Sequence, residues 1–323
     1  MIEPTLDIHL TDSDLDAALR SDARTGLTST PKSLPPKWFY DARGSELFEA
    51  ITALPEYYPT RTERALLERV VGEIARTAQA EVLVELGSGS AAKTRLLLSA
   101  LLSEGPLKTY VPQDVSVSAL RGAAQQVGAE FPSLAVHGVV SDFTDTLHNL
   151  PRGGRRMIAF LGGTIGNMVA AERAEFLGGI QQVLEPGEQL LLGAGLVTDP
   201  AILVPAYDDA AGVTAEFNRN VLHVLNSRLH ADFDPDSFDH IARWDADNEW
   251  IEMRLRATRA MTVTVADLDL TVDFAEGEQM RTEISAKFRV DGLTAELAAA
   301  GFDTEQVWTD PDDRFALVLA GRR

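Results

Sequence analysis

The first chemical signal in the chain is a glycine turn followed by carboxylates at strand ends. Residues 82–94, VLVELGSGSAAKT, pass from apolar Val82–Val84 through Glu85 to Gly87, Ser88 and Gly89, then into helix-forming residues. A strand that breaks on glycines into a helix brings backbone close to a ligand. Gly87, Gly89 and Ala92 match the G-x-G-x-x-A spacing of a dinucleotide fingerprint, which alone also fits a tight turn with no ligand. Asp114 lies 25 residues beyond Gly89, near where a ribose-binding carboxylate belongs. Asp142-Phe143 suits an adenine, because a carboxylate accepts from the exocyclic amine and a ring can lie beside the base. Either acid alone reads as a loop residue; at the carboxyl ends of successive strands they favour a nucleoside. Glu85 ahead of the first glycine and the Pro186-Gly187 turn before a later strand favour S-adenosylmethionine over NAD. Methyl transfer from a sulfonium asks for neither a metal nor a nucleophilic side chain, so no metal site is expected and no catalytic side chain is assigned. The protein's task is to hold the acceptor lone pair in line.

Composition narrows the field. The chain has 323 residues, enough for two domains or one with a large insertion, and 45% are hydrophobic. Acids outnumber bases 49 to 29, for a net charge of −20, so phosphate backbones and anionic lipid are poor partners. Without cysteine there are no disulfides, thiolate zinc sites or cysteine nucleophiles, which suits a reducing cytoplasm. The start, MIEPTLDIHLTDSD, lacks the apolar core of a signal peptide, and no apolar run approaches a membrane span. The six histidines form no HExxH cluster; His223 and His230 read as a solvated helix face.

The elements that must position these residues alternate. Thr60-Arg61-Thr62-Glu63 has capping-box spacing, with Thr60 as N-cap, ahead of helical apolar spacing at Leu66, Leu67, Val70, Val71 and Ile74. Strands are expected at Val82–Leu86, to Asp114, to Asp142, at RMIAF and after Pro186-Gly187, with helices over 93–102, 118–127 and 171–184 between them. That order implies right-handed crossovers and a parallel sheet. Beyond Val197 an acidic helical region runs to about residue 230, and then WIEMRLRA, MTVTV, LDLTVDF and MRTEISAKF alternate with period two, as antiparallel strands do. On the last of these, Arg281, Glu283, Ser285 and Lys287 are expected to share one face, usually a solvated one. Residues 293–300 read as helix, and RFALVLAG as a strand returning to the first sheet.

Longer motifs carry a resemblance. TPKSLPPKWFYDARGSELFEAIT, LPEYYPTRTE, FLGGTIGN, AYDDAAGVTAEFNRN and MRTEISAKF, in this order with the glycine loop between, resemble the histidine Nα-methyltransferases of ergothioneine biosynthesis, from about residue 15 to the C-terminus. The resemblance implies an α/β fold, a Rossmann-like class I methyltransferase domain over 63–197 and 288–323, with a smaller α+β substrate domain from 1–62 and 198–287. By motif, S-adenosylmethionine would contact Tyr40, Gly87, Lys93, Asp114, Asp142 and Phe143, with Lys93 on the methionyl carboxylate. L-Histidine would contact Tyr57, Asn167, Tyr207, Met253, Glu283 and Ser285. Gln113 departs from the apolar residue expected before Asp114.

The reaction so implied is three successive methylations of the histidine α-amine, giving hercynine and S-adenosylhomocysteine, with mono- and dimethylated histidine as intermediate partners. Asn167 and Tyr207 would orient the amino acid, and aromatic faces would tolerate the growing cation. A cytoplasmic monomer without nucleic-acid or membrane partners is expected. Rivals are the same chemistry on another aromatic amino acid, an NAD(P)-dependent oxidoreductase, and a non-catalytic nucleoside-binding module.

Overall fold

The structure is a computed structural model and describes residues 2–88, 92–143 and 147–323. Gly89 and Ala91 of the glycine loop lie outside the described residues, and of Ala92 only the backbone is described. The chain divides into two compact units, residues 1–11, 61–196 and 288–323 in one, and 12–60 with 197–287 in the other.

The first unit is built on one mostly parallel sheet. Its strand order is Thr5–Ile8, Ala135–Val140, Thr109–Asp114, Val82–Leu86, Arg156–Phe160, Gln189–Gly195, Phe315–Arg322 and Phe302–Thr309. The first six run parallel; Phe315–Arg322 is antiparallel to Gln189–Gly195 and to Phe302–Thr309. Val82–Leu86 and Arg156–Phe160 are buried along their whole length, as expected of central strands with both faces covered, which explains why they are apolar but for Glu85 and Arg156. After Val82–Leu86 the chain adds its next two strands on one side, then crosses to Arg156–Phe160 on the other. That reversal opens a crevice beyond the carboxyl end of Val82–Leu86, the position where open α/β sheets bind ligands.

The second unit contains helices Asp12–Thr28, Ala42–Thr52, Pro200–Tyr207 and Val213–Leu229. It also holds two antiparallel sheets, a three-stranded one ordered Gln279–Ala286, Trp250–Ala257, Phe238–Asp245, and the pair Leu270–Phe274 with Met261–Val265. Its core gathers Phe217, Val221 and Leu225 of Val213–Leu229, Phe238, Leu255 and Met280 of the three-stranded sheet, and Phe39. Asn218 and Asn220 are buried on Val213–Leu229 and satisfied by hydrogen bonds: Asn218 Nδ2 donates to Arg254 O, and Asn220 Nδ2 to Phe39 O and Asp41 Oδ1.

Three expectations are corrected. The helix starts at Tyr58, so Thr60 lies within its first turn and caps nothing. Glu63 is fully buried and accepts instead from Gly162 N (2.7 Å) and Lys93 Nζ (2.5 Å), a tertiary use that local spacing does not reveal. Residues 1–11 belong with the first unit, because Thr5–Ile8 pairs in parallel with His137–Val140. Finally, the register of Gln279–Ala286 against Trp250–Ala257 shifts between Arg281 and Glu283. One extra residue reverses the alternation, so Arg281 falls opposite Arg254 while Glu283 falls opposite Met253 on the other face.

Candidate active site

In the first unit the expected nucleoside residues converge on the crevice. Gly87 ends the Val82–Leu86 strand with φ +65°, a left-handed conformation that suits glycine, and a Cβ placed there would stand 3.8 Å from Phe143. Its N–H donates to Gln113 O at 2.9 Å, which ties the turn to the neighbouring strand end that carries Asp114. Asp114 Oδ1 accepts from Ser116 N at 3.0 Å, and Asp114 O accepts from Ser141 N, one residue before Asp142. Phe143 packs edge-on against Phe160 (5.2 Å) and Phe176 (5.8 Å), which fixes its ring. Gly87, Asp114, Asp142 and Phe143 are thus gathered at adjoining strand ends.

Lys93 has a partner that the sequence did not suggest. Its ammonium pairs with buried Glu63, so an anionic ligand group would share the cation with a resident carboxylate. Gly162, Gly163 and the turn Thr164–Asn167 follow the Arg156–Phe160 strand, with φ of +81° and +69° at the glycines, and Asn167 ends the turn, half-buried. Gln113, at the departure noted above, is buried; its amide donates to Ser141 O and Oγ, while Oε1 has no partner among the described residues.

Sequence reasoning noted Glu85 but not its partners. The carboxylate is buried and accepts from Tyr110 Oη (2.6 Å) and Thr94 Oγ1 (2.7 Å). Burial pushes its pKa up, and the two hydroxyls pull it back. Thr94 sits at the start of the helix after the glycine loop, so Glu85 fastens that helix to the strand before it.

The second unit carries the expected acceptor residues other than Asn167, which belongs to the first. Tyr207 Oη lies 2.7 Å from Ser285 Oγ, and Lys287 Nζ donates to both at 2.8 Å. Tyr57 packs edge-on to Tyr207 at 6.2 Å and to Phe48 at 6.2 Å, while Tyr40 packs on Phe48 and Phe217. Glu283, Ser285 and Lys287 are 8%, 6% and 7% exposed, so the solvated-face reading of this strand fails. Met253, 2% exposed, stands across the ladder from Glu283.

Electrostatics bind the cluster. Burial, and then the Glu283 charge and Tyr207, raise the phenol of Tyr40; its ring is 47% exposed, yet its hydroxyl end lies among these groups. Burial raises Tyr207 as well, against the Ser285 hydrogen bond. Burial lowers the Lys287 ammonium, and Tyr58 and Glu283 oppose that. Lys287 was not singled out in the sequence; its signal was the period-two spacing from Glu283 and Ser285. A further buried chain was also missed. His240 Nε2 donates to Tyr207 O and its Nδ1 accepts from Asn218, whose Oδ1 accepts from Thr282 at the bulge. Burial lowers the His240 pKa, which keeps this ring neutral and in one tautomer. His230, by contrast, caps its helix and pairs with Asp267, 74% exposed.

The parallel sheet with its reversal, the glycine turn and the acids at the next strand ends define a Rossmann-like class I methyltransferase fold. The chain belongs to the histidine-specific, S-adenosylmethionine-dependent methyltransferase family, whose profile matches residues 19–322. It is 55% identical over 305 residues to a histidine N-alpha-methyltransferase of Mycolicibacterium smegmatis, covering 94% of this chain and 95% of that one. It is also 34% identical over 220 residues to ergothioneine biosynthesis protein 1 of Neurospora crassa, covering 65% of this chain and 25% of that one. Among solved structures, the PH0226 protein of Pyrococcus horikoshii shares the fold, with a TM-score of 0.50 at 13% identity, covering 88% of this chain and 100% of that one. No helix among the described residues is long and apolar enough to cross a membrane, and no group of metal-ligating side chains occurs among them.

The residues present fit the cofactor of this family. Asp114 and Asp142 offer the acceptors that a ribose diol and an exocyclic amine require, and Phe143 offers a fixed ring. The open approach at Gly87 leaves room for a ligand near the backbone.

Proposed function

We propose that this enzyme trimethylates the α-amine of L-histidine to hercynine, the first step of ergothioneine biosynthesis, using S-adenosylmethionine. The observation that carries the reading is the buried polar strand face of Glu283, Ser285 and Lys287 beside Tyr207. A phenylalanine or leucine side chain offers such a face neither a donor nor an acceptor, whereas a polar ring can add hydrogen bonds to it at about 0.5–3 kcal/mol each. An imidazole meets them, since Glu283 accepts from one ring N–H and Ser285 reaches the second nitrogen. Met253 packs beside the ring, and Tyr57, Tyr207 and Asn167 orient the amino acid through its amine and carboxylate. Of the residues proposed for histidine all but Asn167 lie in the 12–60 and 197–287 unit, and of those proposed for the cofactor all but Tyr40 lie in the other.

S-Adenosylmethionine supplies the activated methyl group when bound, held by Tyr40, Gly87, Asp114, Asp142 and Phe143, with Lys93 toward its carboxylate. The protein's own residues place the amine and exclude other side chains. Tyr40, Tyr57 and Tyr207 present ring faces and edges that suit an amine becoming a quaternary cation through its mono- and dimethyl stages. Burial raises the phenols of Tyr40 and Tyr207, so neither of these two serves as a resident base at neutral pH. A cytoplasmic monomer acting on free amino acid completes the proposal.

The test is mass spectrometry of histidine incubated with enzyme and S-adenosylmethionine. Products heavier by one, two and three methyl groups are expected, the last accumulating. Methylation of tryptophan or tyrosine in preference to histidine would overturn the reading.

A further inference from the structure

Lys287 adds something that the substrate reading alone does not contain. Its ammonium is buried in the second unit and lies 2.8 Å from both Tyr207 Oη and Ser285 Oγ, which are themselves 2.7 Å apart. An ammonium has donors and no acceptor, so it donates to both oxygens. One hydroxyl hydrogen lies between the two oxygens. The phenol is the stronger acid and its oxygen the weaker acceptor, so Tyr207 donates to Ser285. Ser285 Oγ then accepts twice, from Lys287 and from Tyr207, and both of its lone pairs are used. Its own hydrogen has one direction left, out of the triangle. Ser285 therefore faces a ligand as a donor.

We propose that Lys287 fixes Ser285 as a hydrogen-bond donor, so that the site takes histidine with a neutral imidazole whose bare nitrogen faces Ser285 while its N–H faces Glu283. This rests on the reading that Glu283 and Ser285 meet the ring. Glu283 by itself would draw an imidazolium; the Lys287 charge and the donor polarity of Ser285 reverse that choice. The titratable groups around Lys287 and Ser285 are Glu283 on their own strand, Tyr207 at the end of Pro200–Tyr207, and Tyr58 and Tyr40, all within one unit. The phenols stay neutral in the range tested, since burial raises Tyr40 and Tyr207. Lys287 is a positioning residue that acts through Ser285 and Tyr207.

The experiment compares histidine with 2-fluorohistidine, whose ring stays unprotonated across the range. The ratio of their KM values cancels any titration of the enzyme. A free imidazole has a pKa of about 6.5, so the neutral fraction falls about tenfold between pH 8 and about pH 5.5. The wild-type ratio should rise about tenfold over that span. Lys287→Arg, which keeps charge and donors, should retain the rise. Lys287→Met, which frees the Ser285 hydroxyl to turn and accept, should cut it below about threefold, and so should Ser285→Ala. Folding of each variant is checked by its melting temperature and its affinity for S-adenosylhomocysteine. A wild-type ratio flat with pH overturns the proposal whatever the variants do. An undiminished tenfold rise in Lys287→Met or Ser285→Ala also overturns it. If Glu283→Gln and Ser285→Ala both leave the histidine KM unchanged, the ring binds elsewhere, and it is the substrate reading that fails.

Discussion

Replacing Glu283 by alanine together with Met253 by valine should turn the enzyme from histidine toward tryptophan. The two residues stand across the ladder from each other and are 8% and 2% exposed, so neither is replaced by water at little cost. For histidine, Glu283→Ala removes a hydrogen bond to a charged acceptor, about 1.5–3 kcal/mol. For tryptophan less is at stake, because an indole has no second ring nitrogen for Ser285 and gains less from this strand face. The histidine-to-tryptophan ratio should therefore fall by up to about 1.5–3 kcal/mol, or roughly one to two orders of magnitude. Met253→Val shortens the neighbouring side chain and opens room for the larger ring. A cost accompanies the change, because Glu283 is one of the groups that favour the charged form of buried Lys287. The double variant should therefore melt lower than wild type. The assay is kcat/KM for histidine and tryptophan in wild type, Glu283→Ala and Glu283→Ala/Met253→Val. A ratio that does not fall in either variant would refute the assignment of Glu283 to the imidazole.

Asp114→Ala should weaken S-adenosylhomocysteine binding, measured by calorimetry, by a few kcal/mol at about 1.5–3 per charged hydrogen bond, and lose about 1 kcal/mol of stability with the bond from Ser116 N; unchanged affinity removes Asp114 from the site. Asn167→Ala and Tyr207→Phe should each raise the histidine KM at least tenfold with cofactor affinity nearly intact, and normal histidine kinetics in both would show the pocket to be misplaced. Glu188→Ala strands the buried guanidinium of Arg156, which donates to it from Nε and Nη2, and should cost about 3–5 kcal/mol in denaturant unfolding. The same carboxylate governs acid stability: burial raises its pKa, but the bonds from Arg156 and from the backbone of Glu185 and Arg156 outweigh that and hold it below 4.5. Its contribution is present above pH 4.5 and is lost as pH falls through the depressed folded value. Glu188→Gln should accordingly show a shallower loss of stability on acidification below that pH, and an identical acid profile would place the sensitive carboxylates elsewhere.

Local pattern was enough for the central strands and their helices. Val82–Leu86 and Arg156–Phe160 are buried on both faces and are apolar but for Glu85 and Arg156, each held by buried partners, and the glycine turn between strand and helix is written in Gly87 itself. The places of Gly87, Asp114 and Asp142, proposed here for the cofactor, were legible for the same reason, since strand ends in a parallel sheet fall at regular chain intervals. Three of the edge strands were not. Thr5–Ile8, Phe238–Asp245 and Phe302–Thr309 are mostly part-exposed or exposed, so their sequences need no alternation and they become strands only by pairing with a neighbour. Period two placed Glu283, Ser285 and Lys287 together but wrongly added Arg281, because a bulge is a property of two strands and not of one. Whether that face met water or the interior was likewise undecidable locally: the same charged alternation serves a solvated edge and a buried site. The choice was made by residues distant in sequence, by Tyr207 against Ser285 and Lys287, and by Glu63, whose carboxylate left its own helix start for Gly162 and Lys93. A buried charge is held by partners that only the folded chain brings within reach, and their identity is tertiary information.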